Sequence, residues 1–175
     1  MSQIKDDMIP YLKSDEIDEI IAKLAKEIEK DYRGQAVILV GVLKGSLPFI
    51  ADLSRKLNLA QRVDFVSLSS HKNKDGDSIV TINQDITTQL AGKHVLIVEE
   101  IIDAGRKLSF LKNRILASGP ASLKIITLLD KPARRVINIK ADYIGKTIED
   151  RYVVGYGLDD GELGRNYPDI YYLRH

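Results

Sequence analysis

VLIVEEIIDAGRKL, residues 95–108, decides the fold. Four apolar residues run straight into Glu99 and Glu100, and then come Asp103, Ala104, Gly105, Arg106 and Lys107. A short, uninterrupted apolar run is the pattern of a strand buried on both faces. The spacing beyond it predicts a helix over about 107–118, closed by Gly119-Pro120. A glycine between strand and helix suits an anion, because the first N–H groups of a helix have no partner within it. Three carboxylates beside that glycine repel an anion, so the ligand has to satisfy both demands.

The same strand–loop–helix pattern recurs on either side. AVILVGVL (36–43) is a second buried run, followed by Lys44-Gly45-Ser46 and a helix over about 47–57, with Pro48 tolerated in its first turn. VDFVSLS (63–69) and LKIITLL (123–129) are further strands. Between 69 and 79 the chain is polar and reads as a mobile lid, with a strand, IVTIN (79–83), beyond it. Upstream, Ser14 reads as the cap of a helix over 14–33, with Ile17, Ile20, Ile21, Leu24 and Ile28 on one stripe and Gly34 closing it. The last third, with ADYIG, RYVVGYG and DIYYL, is strand-like and rich in turns.

Strands alternating with helices predict an α/β fold: an open, mostly parallel twisted sheet flanked by helices, in one domain spanning residues 1–175. In such sheets ligands bind beyond the C-terminal strand ends. There the sequence collects Lys44-Gly45, the loop after residue 98, and Asp130-Lys131-Pro132 with Arg134 and Arg135. Glu99 and Glu100 suit hydroxyl groups or hydrated Mg²⁺, and the stretch from Asp103 to Lys107 suits a phosphate. A ribose 5-phosphate meets both demands, whereas a solvated turn with ordinary acids is the plainer alternative.

Composition narrows the field. The chain has 175 residues, a net charge of +1 and no cysteine, which excludes disulfides and thiolate metal sites and fits a reducing compartment, the cytoplasm. Near-neutral charge gives no general attraction to nucleic acid or anionic membrane. The N-terminal MSQIKDDMIPYLK lacks the apolar run of a signal peptide, and no segment approaches the about 18 apolar residues of a membrane span.

These residues resemble a known family. VLIVEEIIDAGRKL is similar to the phosphoribosyl-diphosphate (PRPP) signature of type I phosphoribosyltransferases. VGVLKGSLPFIADL (40–53), SLSSHKN (67–73), LLDKPARR (128–135) and RYVVGYGLDDGELGRNYPDIYYL (151–173) extend the resemblance to the hypoxanthine-guanine branch. It implies a small hood built from the chain ends. It implies Mg²⁺-dependent transfer of phosphoribose from PRPP to hypoxanthine or guanine, giving IMP or GMP, in purine salvage. By position, the resemblance implies that Asp103 is the general base at the purine N7, and that Glu99 and Glu100 serve the ribose hydroxyls and Mg²⁺. It implies that residues 103–107 wrap the 5-phosphate, and that Lys44 and Gly45, after a cis peptide, bind pyrophosphate together with Arg165. It further implies that Lys131 contacts the purine 6-oxo group and N7, that Tyr152 stacks on the base and that Val153 meets its edge. By the same resemblance Asp159 is expected to serve a second Mg²⁺, Ser70 and His71 to begin the lid, and the protein to form a homo-oligomer, as relatives are commonly dimers or tetramers.

The chain departs from that pattern. Glu100 stands where aspartate is usual, and Ala104 and Lys107 stand where phosphate-binding hydroxyls are usual. His71 replaces a tyrosine, and DDGELGR replaces a tyrosine-rich run. With both hydroxyls absent, an alternative is a nucleotide-binding or regulatory protein on the same scaffold. Another is a phosphosugar enzyme that shares only the PRPP loop. Among single residues, Tyr152 reads equally as core packing, His71 as a solvated loop residue, and Arg134 and Arg135 as surface or interface charge.

Overall fold

The computed structural model describes residues 8–72, 74 and 78–174. A six-stranded sheet has the order β4-β3-β2-β5-β6-β7. Its members are β2 (Val37–Leu43), β3 (Gln61–Lys72), β4 (Ser78–Gln84), β5 (His94–Ile102), β6 (Ser122–Asp130) and β7 (Tyr143–Thr147). Every pairing is parallel except β3 with β4. The buried runs are largely apolar because both faces are covered, and the fully buried Thr127 hydroxyl of β6 is satisfied by donating to the Leu129 carbonyl. In β2, Val37 and Leu39 enter one core cluster, while Ile38, Val40 and Val42 enter the other. Helices α1 (Ser14–Asp31) and α2 (Leu47–Lys56) supply the first cluster, and α3 (Arg106–Leu116) supplies the second.

The strand order reverses at β2. From there β3 lies on one side and β5 on the other. Loops leaving the C-terminal ends of β2 and β5 therefore part in opposite directions and open a crevice between them. That crevice holds Lys44-Gly45 on one side and the segment 99–107 on the other.

The helical stripe is placed as expected, with Ile17, Ile21, Leu24 and Ile28 buried and Ile20 at its margin. Ser14 is not the cap. The helix begins at Ser14 itself, whose N–H is drawn to Asp169 Oδ1 at 2.7 Å, and Glu16 takes the Lys13 N–H at 2.9 Å. The C-terminus comes at Asp31, before the expected Arg33, because Tyr32 leaves helical geometry and turns into the core.

The chain ends form the hood. Strands β1 (Met8–Leu12), β8 (Val153–Val154) and β9 (Ile170–Leu173) make an antiparallel sheet in the order β1-β9-β8. It packs through Leu12, Val153 and Ile170 into the α1–α2 cluster. Within RYVVGYG only Val153–Val154 is a strand. Gly155, Tyr156 and Gly157 then turn with positive φ of 105°, 49° and 93°.

The segment expected as a lid is, where described, the end of a two-stranded ribbon. Ser70 pairs with Val80 and His71 with Ile79, so both belong to β3 rather than to a polar loop. The ladder persists past Ser69 because polar strand residues facing solvent cost an edge hairpin little. Residues 73 and 75–77 of the expected lid lie outside the described residues. No helix among the described residues is long and apolar enough to cross a membrane.

Candidate functional site

Three loops meet at the crevice. After β2 the Leu43–Lys44 peptide is cis, as expected, and Gly45 passes hard against β5. A Cβ on Gly45 would lie 2.0 Å from Glu100 Oε1. A Cβ on Gly157, from the turn after β8, would lie 1.9 Å from the Gly45 carbonyl oxygen. Only glycine allows the loops to approach this closely.

Glu99 and Glu100 lie within β5 rather than beyond it. The strand runs on because Ile101 and Ile102 pair with Leu129 and Asp130 of β6. Their carboxyl groups are thereby carried into the crevice floor. Burial, and then the Glu100 charge, hold the Glu99 carboxyl well above the ordinary glutamate range, with Lys107 opposing. Burial also pushes Glu100 up to about 7, against its own backbone N–H, Lys107 and Arg165. Each glutamate has a buried Oε2 with no hydrogen-bond partner. Two buried acceptors without donors are costly unless a ligand supplies donors or a cation.

Two clefts flank this floor. One, of about 260 Å³, is lined by Ser70, Glu99 and residues 100–108. The other, of about 340 Å³, is lined by Lys131, Arg134, Asp150, Tyr152, Val153, Leu158 and Asp159. Glu100, Ile101 and Asp103 line both. His71 lines neither, so of the two lid residues only Ser70 reaches the site.

The first cleft ends at the start of α3, where the sequence predicts an anion seat. Gly105 is the residue before α3, with φ of 83°, and it offers no side-chain cap. The N–H groups of the first helical turn, from Arg106 onward, are thus open to a ligand. A Cβ on Gly105 would lie 2.6 Å from Ile139 Cγ2. The Ala104 carbonyl accepts the N–H groups of Val136 and Ile137, each at 3.1 Å. Lys107 departs from the usual hydroxyl, and its charge acts on Glu99 and Glu100, which gives that substitution a physical role.

Arg135 is a brace rather than surface charge, whereas Arg134 is surface charge, as expected, paired with exposed acids. Arg135 donates to the Asp103 carbonyl and pairs with Asp130, both groups of the ion pair being largely buried. Arg134 pairs with Asp103 Oδ1 at 3.3 Å and approaches Asp150 Oδ1 at 3.7 Å. No periodicity or spacing announced these contacts, because they join the loop after β6 to the loop after β5.

In the second cleft Lys131 is 7% exposed, although it follows a strand end directly. Burial lowers its pKa, with Asp103 and Asp150 opposing. A poorly hydrated ammonium of this kind is primed to donate to a ligand oxygen. Tyr152 is 44% exposed and lines the cleft, which excludes plain core packing. Its hydroxyl donates to the Asp159 carbonyl at 3.1 Å.

The segment DDGELGR closes the crevice. Arg165 pairs with Asp159 at 2.8 Å and with Glu162 at 3.3 Å, and it donates to the Gly157 carbonyl at 2.8 Å. Lys44 pairs with Glu162 at 2.7 Å. Sequence reasoning singled out Lys44, Asp159 and Arg165 but missed Glu162 and Asp150. Neither has a spacing signal of its own.

Among the described residues no group of three metal-ligating side chains converges. Glu99 and Glu100 nevertheless fit a hydrated divalent ion, because each presents a buried acceptor with nothing to accept. The Asp159 carboxylate is already engaged by Arg165 and by the Glu162 N–H.

Comparison with known proteins agrees with this layout. The model of the phosphoribosyl transferase domain matches residues 11–161. A hypoxanthine-guanine phosphoribosyltransferase of Streptococcus pneumoniae is 46% identical over 161 residues, covering 91% of this chain and 89% of that protein. One from Bacillus subtilis is 40% identical over 164 residues, covering 93% and 91%. The crystal structure of a hypoxanthine phosphoribosyltransferase from Staphylococcus aureus superposes with a TM-score of 0.93 at 38% identity, covering 99% of this chain and 95% of that one.

Proposed function

The chain belongs to the phosphoribosyltransferase family, and on that premise we propose that it is a purine-salvage enzyme of the hypoxanthine-guanine branch. It transfers the 5-phosphoribosyl group of PRPP to hypoxanthine or guanine, giving IMP or GMP and pyrophosphate. The observation that carries this reading is the pair of clefts sharing Glu100, Ile101 and Asp103. A phosphosugar in one cleft and a planar base in the other bring the sugar's anomeric carbon and the base nitrogen together over those residues.

In the reaction the bond from that carbon to a pyrophosphate oxygen breaks, and a bond to the purine nitrogen forms. The ring N–H proton leaves at N7, where Asp103 accepts or shares it. Lys131 donates to the 6-oxo group, which selects oxopurines over adenine, whose amino group is itself a donor. Tyr152 stacks on the base, and Val153 meets its edge. The N–H groups at the start of α3, with Gly105, hold the 5-phosphate, while Glu99 and Glu100 accept the ribose hydroxyls through their unpartnered Oε2 atoms. Lys44 and Arg165 receive the charge that gathers on pyrophosphate. Glu99 and Glu100 would hold Mg²⁺, and the ion would supply charge neutralisation for the leaving pyrophosphate. Asp159 would serve a second ion or its water only by releasing Arg165. The β3–β4 ribbon, through Ser70, covers the reacting carbon against water.

Several finer points belong to the same proposal. The protein works as a dimer or tetramer in the cytoplasm, and its partners are small molecules rather than nucleic acid. Nucleotide binding without turnover is the less favoured reading, because Asp103, Lys131 and Tyr152 all line the base cleft.

The test is base selectivity. Protein, Mg²⁺ and PRPP are incubated with hypoxanthine, guanine, xanthine or adenine, and nucleotide is separated by chromatography. Formation of IMP or GMP without AMP supports the reading, and inactivity on all four bases would sink it.

A further inference from the structure

The glutamate of DDGELGR sits where an anion is due. Glu162 Oε2 lies 2.7 Å from Lys44 Nζ, and Glu162 Oε1 lies 3.3 Å from an Arg165 terminal nitrogen. Lys44 comes from the loop after β2 and Arg165 from the turn after β8, so one carboxylate ties together two cations from separate elements. The backbone is shaped to present it. Glu162 has φ of 70°, a conformation that side-chain-bearing residues seldom adopt. It is held there by reciprocal bonds between Asp160 and Leu163, each at 3.0 Å, and by its own N–H to Asp159 Oδ2 at 2.9 Å. Arg165 keeps capacity in reserve, because its Nε is buried with no hydrogen-bond partner.

We propose that Glu162 is an internal stand-in for pyrophosphate, a positioning residue that occupies Lys44 and Arg165 in the substrate-free protein and competes with the diphosphate for them. The proposal rests on the assignment of Lys44 and Arg165 to pyrophosphate made above. Binding PRPP exchanges the Glu162 contacts for contacts to the diphosphate, and departure of pyrophosphate restores them. The glutamate therefore raises the concentration of diphosphate needed for saturation and speeds its release. It also keeps two cations aligned over the crevice when nothing is bound. Both charged groups of the Lys44–Glu162 pair are well exposed, so the exchange is nearly balanced, and the effect is a small factor rather than a switch.

Calorimetric titration with pyrophosphate and Mg²⁺ tests this on the native protein, Glu162→Gln and Lys44→Met. Glu162→Gln is expected to bind pyrophosphate about two- to fivefold more tightly, the range set by trading an exposed ion pair. The KM for PRPP should fall by the same factor, with GMP affinity unchanged. Glu162→Asn, which tolerates the left-handed backbone, should give the same shift if charge is the cause. Unchanged or weaker pyrophosphate binding in both Glu162 variants, with Lys44→Met weakened, overturns this proposal alone. Native-like binding by Lys44→Met overturns the assignment beneath it as well.

Discussion

Gly45 and Glu100 touch across the point where the strand order reverses, leaving no room for a methyl group: a Cβ on Gly45 would lie 2.0 Å from Glu100 Oε1. The contact sets the distance between the loop assigned to pyrophosphate and the carboxylates assigned to ribose. Gly45→Ala forces the Glu100 carboxylate aside and is expected to lower kcat/KM about 10- to 100-fold, the scale of an ångström-sized misplacement. In a Glu100→Ala background the same substitution should cost under about twofold. A double-mutant cycle on kcat/KM measures the coupling, and additive effects would remove the steric explanation.

The buried glutamates predict a pH-dependent stability. Glu100 is pushed up from 4.5 to about 7, so folding favours its protonated form. Below 4.5 the group is protonated in both states and folding gains from the proton in full. As pH climbs toward and past 7, that stability is lost. Glu100→Gln should therefore raise Tm at pH 8, with the gain fading toward pH 5. An upper bound on the order of 3 kcal/mol, at about 2–4 °C per kcal/mol, makes the shift several degrees. Thermal melts of both proteins from pH 5 to 8 check it, and a gain that is constant with pH would contradict the burial account.

With Ala104 in place of a hydroxyl, the proposed phosphate seat is left to backbone groups. The Ala104 carbonyl is already used by Val136 and Ile137, and its methyl side chain can make no hydrogen bond. Ala104→Thr supplies one hydrogen bond to a charged phosphate and should lower the KM for PRPP on the order of tenfold, leaving the KM for hypoxanthine unchanged. Steady-state kinetics with each substrate varied distinguishes the two. An unchanged KM for PRPP would mean that the N–H groups alone carry the contact.

Arg135 ties the loop carrying Asp103 to β6 through a largely buried pair with Asp130 and a bond to the Asp103 carbonyl. Arg135→Met leaves the Asp130 carboxylate without its partner. It should cost about 3–5 kcal/mol in urea unfolding, with a fall in kcat at temperatures where the protein stays folded. The double variant with Asp130→Leu should recover much of the stability without the rate. Full recovery of both would reduce the pair to packing.

The sheet was legible because strands covered on both faces must be mostly apolar: 37–43 of the expected 36–43, 95–98 and 123–129 all lie in strands of the sheet, while Ala36 precedes β2 and is exposed. The same cue ended β5 too early, since Glu99 and Glu100 are polar residues that belong to the strand and point into the site. Residues 70–71 were misread for the opposite reason: both are exposed, beyond the part of the ribbon where Leu68, Val80 and Ile82 pack on the core, so no apolar pattern marks the strand there. Gly45 and Gly105 were visible as bends, but the close approach of loops distant in sequence that Gly45 and Gly157 allow was not. Arg134, Arg135 and Glu162 were illegible because each also reaches a loop distant in sequence, Asp103 for the two arginines and Lys44 for Glu162, and only the folded crevice brings these loops together.

Asp103 joins both clefts, and the claim that this is where a purine loses its proton is the one most worth testing. Native protein and Asp103→Asn are compared at equal concentration with saturating PRPP, Mg²⁺ and hypoxanthine or guanine, following nucleotide by absorbance and GMP binding by calorimetry. The prediction is rapid IMP and GMP formation by the native protein and a rate about 10²–10⁴-fold lower for Asp103→Asn, with GMP still bound. An Asp103→Asn protein that turns over at the native rate would contradict the account.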